Sequence, residues 1–337
     1  MLSRFFETLY HKVFVNIVVL KSKSVVSVET LAKGGVIDSV EESFATTTLN
    51  EKMYNFISAY TKESPYYYIS LLDKTPSQGA CPTCSKKNMS KYFDTYSSKH
   101  FCYFSRWAYY TSKTDLHILQ KEYARIGVDF IFSSFVLLAR FFKDKIDTNM
   151  AMFVLIEETY ITISIFDNSK LLFAKHIDVK NDKNSDELLI EDQDSSEEEL
   201  DLAISNEVDF DEVDNDELDH LGDIEDLDSL DDLDEFSDTK DIEEELNEKL
   251  DETSIHTKAD TFSEDYQRFL FIQKTLNDFY KNDEQADQFI EAVYIADGIG
   301  VSGDLKRYLE EEMFLNVYIR NMDINAEVFE LAKAEVK

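Results

Sequence analysis

The sequence predicts an α/β protein interrupted by a long acidic insertion. Strand-like and helix-like patterns alternate on both sides of residues 181–260. Hydrophobic residues make up 43% and aromatic residues 13% of the 337, enough for a packed core. The net charge of −35 is segregated. Residues 181–260 hold 35 acids and 4 lysines, whereas the other 257 hold 34 acids and 30 bases. The part expected to fold is thus near neutral by count.

The elements follow in order. Residues 13–20, 23–31 and 36–44 are apolar and β-branched runs separated by Lys21-Ser22 and Lys33-Gly34-Gly35, the pattern of an antiparallel meander. Met53, Phe56, Ile57 and Tyr60 form a helical stripe over 50–60, and Tyr66 to Leu72 reads as a buried strand. An irregular polar stretch, 73–100, leads to an aromatic segment, Phe101 to Tyr110, read as one strand. A helix is expected from Thr114 to Arg125, stopped by Gly127, then a strand at Val128 to Phe132. Ser133 or Ser134 is placed to cap a helix running to about Lys145. Residues 151–165 and 170–178 read as a hairpin around Asp167-Asn168.

Within the insertion Leu218, Leu221, Ile224, Leu227, Leu230, Leu233 and Phe236 recur every third residue among acids. At 100° per residue this spacing spreads them around a helix, so the block reads as largely disordered, either a solvated spacer or a docking segment. After it come a long amphipathic helix over 262–280, a strand at 292–295, a Gly-containing loop at 297–300, a helix over 305–313 and a strand at 317–319.

Several function classes are excluded or left without support. The charge balance argues against a nucleic-acid surface. No apolar run reaches the ~18 residues of a spanning helix; Val128 to Phe142 is broken by Asp129 and Arg140. No cleavable leader is visible at MLSRFFETLYHK, and three cysteines make a poor disulfide framework, so a reducing cytoplasmic location is expected. Cys81-x-x-Cys84 with His100 and Cys102 offers four candidate zinc ligands, against the alternatives of a redox pair or plain reduced thiols. There is no Gly-x-x-x-x-Gly-Lys-Ser/Thr phosphate loop.

The run VYIADGIGVSGDLKRYLEEEMFLNVYI (293–319) resembles the strand, Gly loop, helix and strand that end actin-like proteins. FVLIEETYITISIFDNSKLLFAKHI (153–177) resembles that family's second phosphate hairpin. Within the family the likeness is to PilM-type proteins of type IV pilus and type II secretion platforms. The resemblance implies an actin-like (RNase H-like), two-lobed ATPase fold. The first lobe would take residues 1–150 with an irregular subdomain at about 73–112. The second would take 151–178 and 259–325, with 179–258 as the insertion. It also implies a non-enzymatic scaffold at the cytoplasmic face of the inner membrane, holding the tail of a single-pass PilN-type protein. A homo-oligomeric ring, and a basic protein docked on the insertion, are further partners it suggests. Alternatives are an active ATPase with ATP and magnesium, or a flagellar-motor scaffold built from pilus-type parts.

Close approach to phosphate favours Gly and backbone N–H groups. The resemblance places Glu157, Glu158, Thr159, Asp297, Gly298 and Gly300 at the nucleotide loops, where the family has more Gly. Two adjacent carboxylates repel a triphosphate unless a metal bridges them. Loops this degenerate predict a protein that need bind no cofactor and catalyse nothing. Tyr66, Tyr67, Tyr68 and Trp107 are the candidate partner anchors, because aromatics dominate binding hot spots.

Overall fold

The computed structural model describes residues 10–32, 35–148, 150–180, 252–281 and 289–336, with backbone alone for 252–263. The acidic block and its three-residue repeat lie outside the described residues. By compactness the chain divides into residues 1–183 with 262–337, and residues 184–261; all that follows concerns the first unit, apart from the backbone of helical residues 252–261.

Two five-stranded sheets share one plan. In the first, β1 (Lys12–Val19), β2 (Ser24–Ala32) and β3 (Gly35–Phe44) form the expected meander. β4 (Tyr66–Leu72) then pairs parallel with β1, and β8 (Phe130–Phe132) pairs parallel with β4. The order is β3-β2-β1-β4-β8. In the second sheet β9 (Ala151–Ile156), β10 (Tyr160–Asp167) and β11 (Lys170–Asp178) form the meander, and β12 (Ala292–Asp297) and β13 (Asn316–Asn321) add parallel. The order is β11-β10-β9-β12-β13. This duplicated 3-2-1-4-5 order is the actin-like, RNase H-like topology, as expected from the sequence.

Helices fill the layers. Asn50 caps α1 (Glu51–Thr61), which places Met53 and Ile57 under the first sheet against Val13, Val15 and Ile17. A 3-residue strand, β5 (Gly79–Cys81), and a single helical turn, α2 (Lys86–Met89), occupy the stretch read as irregular. α3 (Lys113–Glu122) is capped by Ser112, and Gly127 sits beyond it at φ +72°. Ser133 caps α4 (Ser134–Phe141), which breaks at Phe142 before α5 (Lys143–Ile146). α6 (Glu252–Tyr280) begins ten residues before the expected start. α7 (Gly303–Glu311) lies between β12 and β13.

Three readings need correction. Residues 151–165 are two strands, because Glu157-Glu158-Thr159 turns the chain and Glu157 N–H donates to the Tyr160 carbonyl at 3.0 Å. Phe101 to Tyr110 is a hairpin of β6 (Ser98–Tyr103) and β7 (Trp107–Ser112); Phe104 and Ser105 take φ of +46° and +59° at its tip. β5-β7-β6 form a separate three-stranded sheet. The chain also ends in an unforeseen helix, α8 (Ile324–Glu335), capped by Asp323.

α8 returns to the first sheet. Asn16 Nδ2 donates to the Asn325 carbonyl at 3.3 Å, and Lys333 pairs with Glu29 at 2.7 Å. One apolar cluster joins Phe14, Val18 and Leu72 of the first sheet to Phe153 and Leu155 of the second through α4 and α8. The lobes are thereby packed on a shared core, and the turns after β1, β4, β9 and β12 enclose the space where they meet: Lys21 contacts Glu158, Lys74 contacts Glu157, and Gly298 N–H donates to the Ile156 carbonyl.

Candidate functional site

That space is where an actin-like fold would hold a nucleotide. In this chain the loop donors around it are taken by the protein's own carboxylates. Asp297 ends β12, and its carboxylate accepts from the N–H groups of Ile299 (3.0 Å), Gly300 (2.8 Å) and Val301 (2.9 Å). Successive N–H groups converging on one point form an anion nest. Here the anion is a side chain. Gly298 must be glycine, since an added Cβ would lie 2.9 Å from the Ile156 carbonyl oxygen; Gly300 supplies φ +82°.

The start of α7 is used the same way. Asp265 on α6 accepts from Ser302 N–H at 2.9 Å and from its hydroxyl, and Arg268 neutralises the Asp265 carboxylate. Across the lobes, Glu158 accepts from Lys21 N–H at 2.8 Å, at the turn between β1 and β2. Glu157, 3% exposed, forms an ion pair with Lys74 and receives the Ser134 hydroxyl at 3.4 Å. Thr159 spends its carbonyl on Val179 N–H at 2.9 Å. Beside this pair, burial, then the Lys74 charge, lower the His176 pKa to about 4. Its Nδ1 meets the Thr162 hydroxyl at 2.8 Å. Burial, then Asp178 and Glu157, push Tyr160 up to about 12.

The sequence-predicted residues thus gather at one place, but as a closed set. A phosphate would have to displace Asp297 from three N–H groups and enter beside Glu157 and Glu158. Among the described residues no group of three His, Cys, Asp or Glu is arranged to hold a metal. Lys74 and Asp265 were not singled out from the sequence. The signals available were the place of Lys74 just past the end of β4 and the i,i+3 spacing of Asp265 to Arg268 on a helix.

The cysteines do not form a ligand set. Cys84 is bonded to Cys102, with Cα atoms 5.6 Å apart, and Cys81 is buried and free. This corrects the expectation of reduced thiols: β6 carries Cys102 back over the loop after β5. Cys81 and Cys102 both register with Ala108 on β7, so all three lie on one face of the small sheet, against Met89 and Phe93. His100 shares that face and lies 5.9 Å from the Phe93 ring.

The opposite face of the small sheet forms a groove. Phe101 stacks on Tyr109 at 5.7 Å, and Lys99 lies over the Phe101 ring. With Leu116 and Gln120 of α3, and Asp73, Asp129 and Ile131 of the first lobe, they enclose about 180 Å3. The aromatic anchors picked from the sequence lie elsewhere. Trp107 is 3% exposed and packs on Tyr103 and Phe166, so it is core. Tyr66, Tyr67 and Tyr68 occupy the other end of β4, up to about 23 Å from Asp73 at ~3.3 Å per residue. Tyr68 stacks on Phe14, and of the three only Tyr67 is largely exposed. Among the described residues no helix is long and apolar enough to cross a membrane.

The chain is similar to several solved structures. One is the PilM–PilN type IV pilus biogenesis complex, at 8% identity, covering 96% of this chain and 98% of that one, TM-score 0.49. A Bacteroides thetaiotaomicron protein with an actin-like ATPase fold and unknown function is similar at 11% identity, covering 98% of each chain, TM-score 0.46. The activator of 2-hydroxyisocaproyl-CoA dehydratase from Clostridium difficile, with bound ADPNP, is similar at 12% identity, covering 97% and 98%, TM-score 0.34. No curated protein matches the sequence. A domain of unknown function, DUF8569, matches residues 10–139. A second, DUF8341, matches residues 152–337, more than half of the length, and the chain belongs to that family.

Proposed function

We propose that this protein is a nucleotide-free, non-enzymatic actin-like scaffold. On this reading it works at the cytoplasmic face of an inner membrane and holds the tail of a single-pass, PilN-type membrane protein. The observation that carries the first half is the Asp297 carboxylate on three consecutive loop N–H groups, with Glu158 on Lys21 N–H across the lobes. Those donors already have a charged acceptor, and charge-assisted hydrogen bonds are the strong ones. A shared apolar core joins the two lobes, a source of stability that needs no ligand.

The groove supports the second half. It presents partly exposed aromatic rings on a three-stranded sheet beside α3, the type of surface that anchors a short extended segment. The partner's class follows from the resemblance to PilM-type proteins. Purification of the full chain from detergent-solubilised membranes tests it. Recovery of a stoichiometric single-pass membrane protein, lost on Tyr109→Ala, is the expected result. A partner-free monomer in every preparation contradicts it.

A further inference from the structure

The groove has one feature that an apolar docking site does not need. Asp73 forms part of its wall and is 3% exposed. Its carboxylate receives Thr75 N–H at 2.9 Å, with the Thr75 and Thr111 hydroxyls beside it. None of these is a cation. The adjacent Lys74 is turned away to Glu157, and among the described residues no Lys, Arg or His pairs with Asp73. The charged group nearest in effect, Asp115, has the same sign. Burial raises the Asp73 pKa, the mark of a carboxylate without a counter-charge.

The groove's other charged lining residues are Asp129 and Lys99. Asp129 lies on the same wall, exposed, and accepts Ile69 N–H at 2.8 Å. Lys99 is the one cation among the lining residues, and it sits over the Phe101 ring at 5.4 Å. Size restricts the occupant further. About 180 Å3 is below the ~300–1,000 Å3 of small-molecule sites but suits one inserted side chain.

Resting on the reading of this groove as a docking site, we infer that it selects an extended segment that inserts a cationic side chain, arginine or lysine, towards Asp73 between apolar neighbours. The aliphatic stem of such a side chain packs on Phe101, Tyr109 and Ile131 while its head takes the carboxylate. Asp73 is then the specificity residue, and the aromatic pair supplies contact area without regard to sign.

The test uses the full chain and three fluorescein-labelled peptides, acetyl-Leu-Arg-Leu-Arg-Leu and its Gln and Glu counterparts, read by anisotropy. The Arg peptide is expected to bind about tenfold or more tighter than the Gln peptide, with the Glu peptide weakest. Asp73→Asn should bring the Arg-to-Gln ratio to within about twofold, with the melting temperature nearly kept, while Tyr109→Ala weakens both peptides. Equal binding of Arg and Gln peptides that is lost in Tyr109→Ala leaves the groove in place and overturns the charge selection. An undiminished ratio in Asp73→Asn overturns it too. Absence of binding by all three peptides, or binding indifferent to Tyr109→Ala, overturns the groove reading itself.

Discussion

The space between the lobes and the groove under the small sheet both carry buried carboxylates, yet those carboxylates are in opposite states. Between the lobes, Glu157, Glu158, Asp265 and Asp297 each have a donor or a cation from the chain. In the groove, Asp73 is buried with neutral donors only, and Phe101 remains 48% exposed. The first arrangement spends its charges on groups of the chain itself. The second leaves charge and apolar surface uncompensated, which a partner can satisfy.

The sharpest way to break this contrast is to undo one closure. Lys74→Met strands the Glu157 carboxylate in a site 3% exposed, and should cost about 3–5 kcal/mol in a denaturant titration. Adding Glu157→Gln should return most of that loss. If the single variant is as stable as the parent, the pair is not holding the cleft shut.

The next effect belongs to the small sheet. Reduction of Cys84–Cys102, 18 residues apart, should lower the stability of that subdomain by ~3 kcal/mol, seen as faster amide exchange in β6 with the two main sheets unaffected. Tyr109→Ala should weaken partner capture by about thirtyfold, worth about 2 kcal/mol, with no comparable loss of stability beyond its packing. A similar loss of partner binding from Glu158→Gln would blur the division between the two regions.

The smallest effect is in the pH response. His176 has a pKa of about 4 in the folded chain and ~6.5 unfolded. Between those values the unfolded chain binds a proton that the folded chain does not, so stability falls as pH drops from 6.5 towards 4. At pH 5 the difference is about 2 kcal/mol, and His176→Gln should remove it relative to pH 7.

Most strands were legible because β-branched runs broken by Lys-Ser, Gly-Gly or Asp-Asn leave few alternatives. Two turns were hidden. Glu157-Glu158-Thr159 and Phe104-Ser105 contain no Gly, Pro or Asn, the residues that mark a turn. α8 did carry signals, an Asp323 cap and the spacing of Ile324, Val328 and Leu331, but Ala and Glu dilute its stripe. For the site, Glu157 and Asp297 were readable as acids at strand ends. That their carboxylates would turn onto the chain's own N–H groups depends on loop geometry, which residue identity does not encode. The disulfide was hidden for a related reason: the pairing of β6 with β7 sets which cysteines meet.

The most direct test of the closed cleft is isothermal calorimetry of the full chain with ATP and magnesium. The occupied loop donors predict no saturable heat up to millimolar nucleotide, and none with ADP. Submillimolar, magnesium-dependent binding that Gly298→Val abolishes would contradict the account, because phosphate would then be displacing the carboxylates placed here as its permanent substitutes.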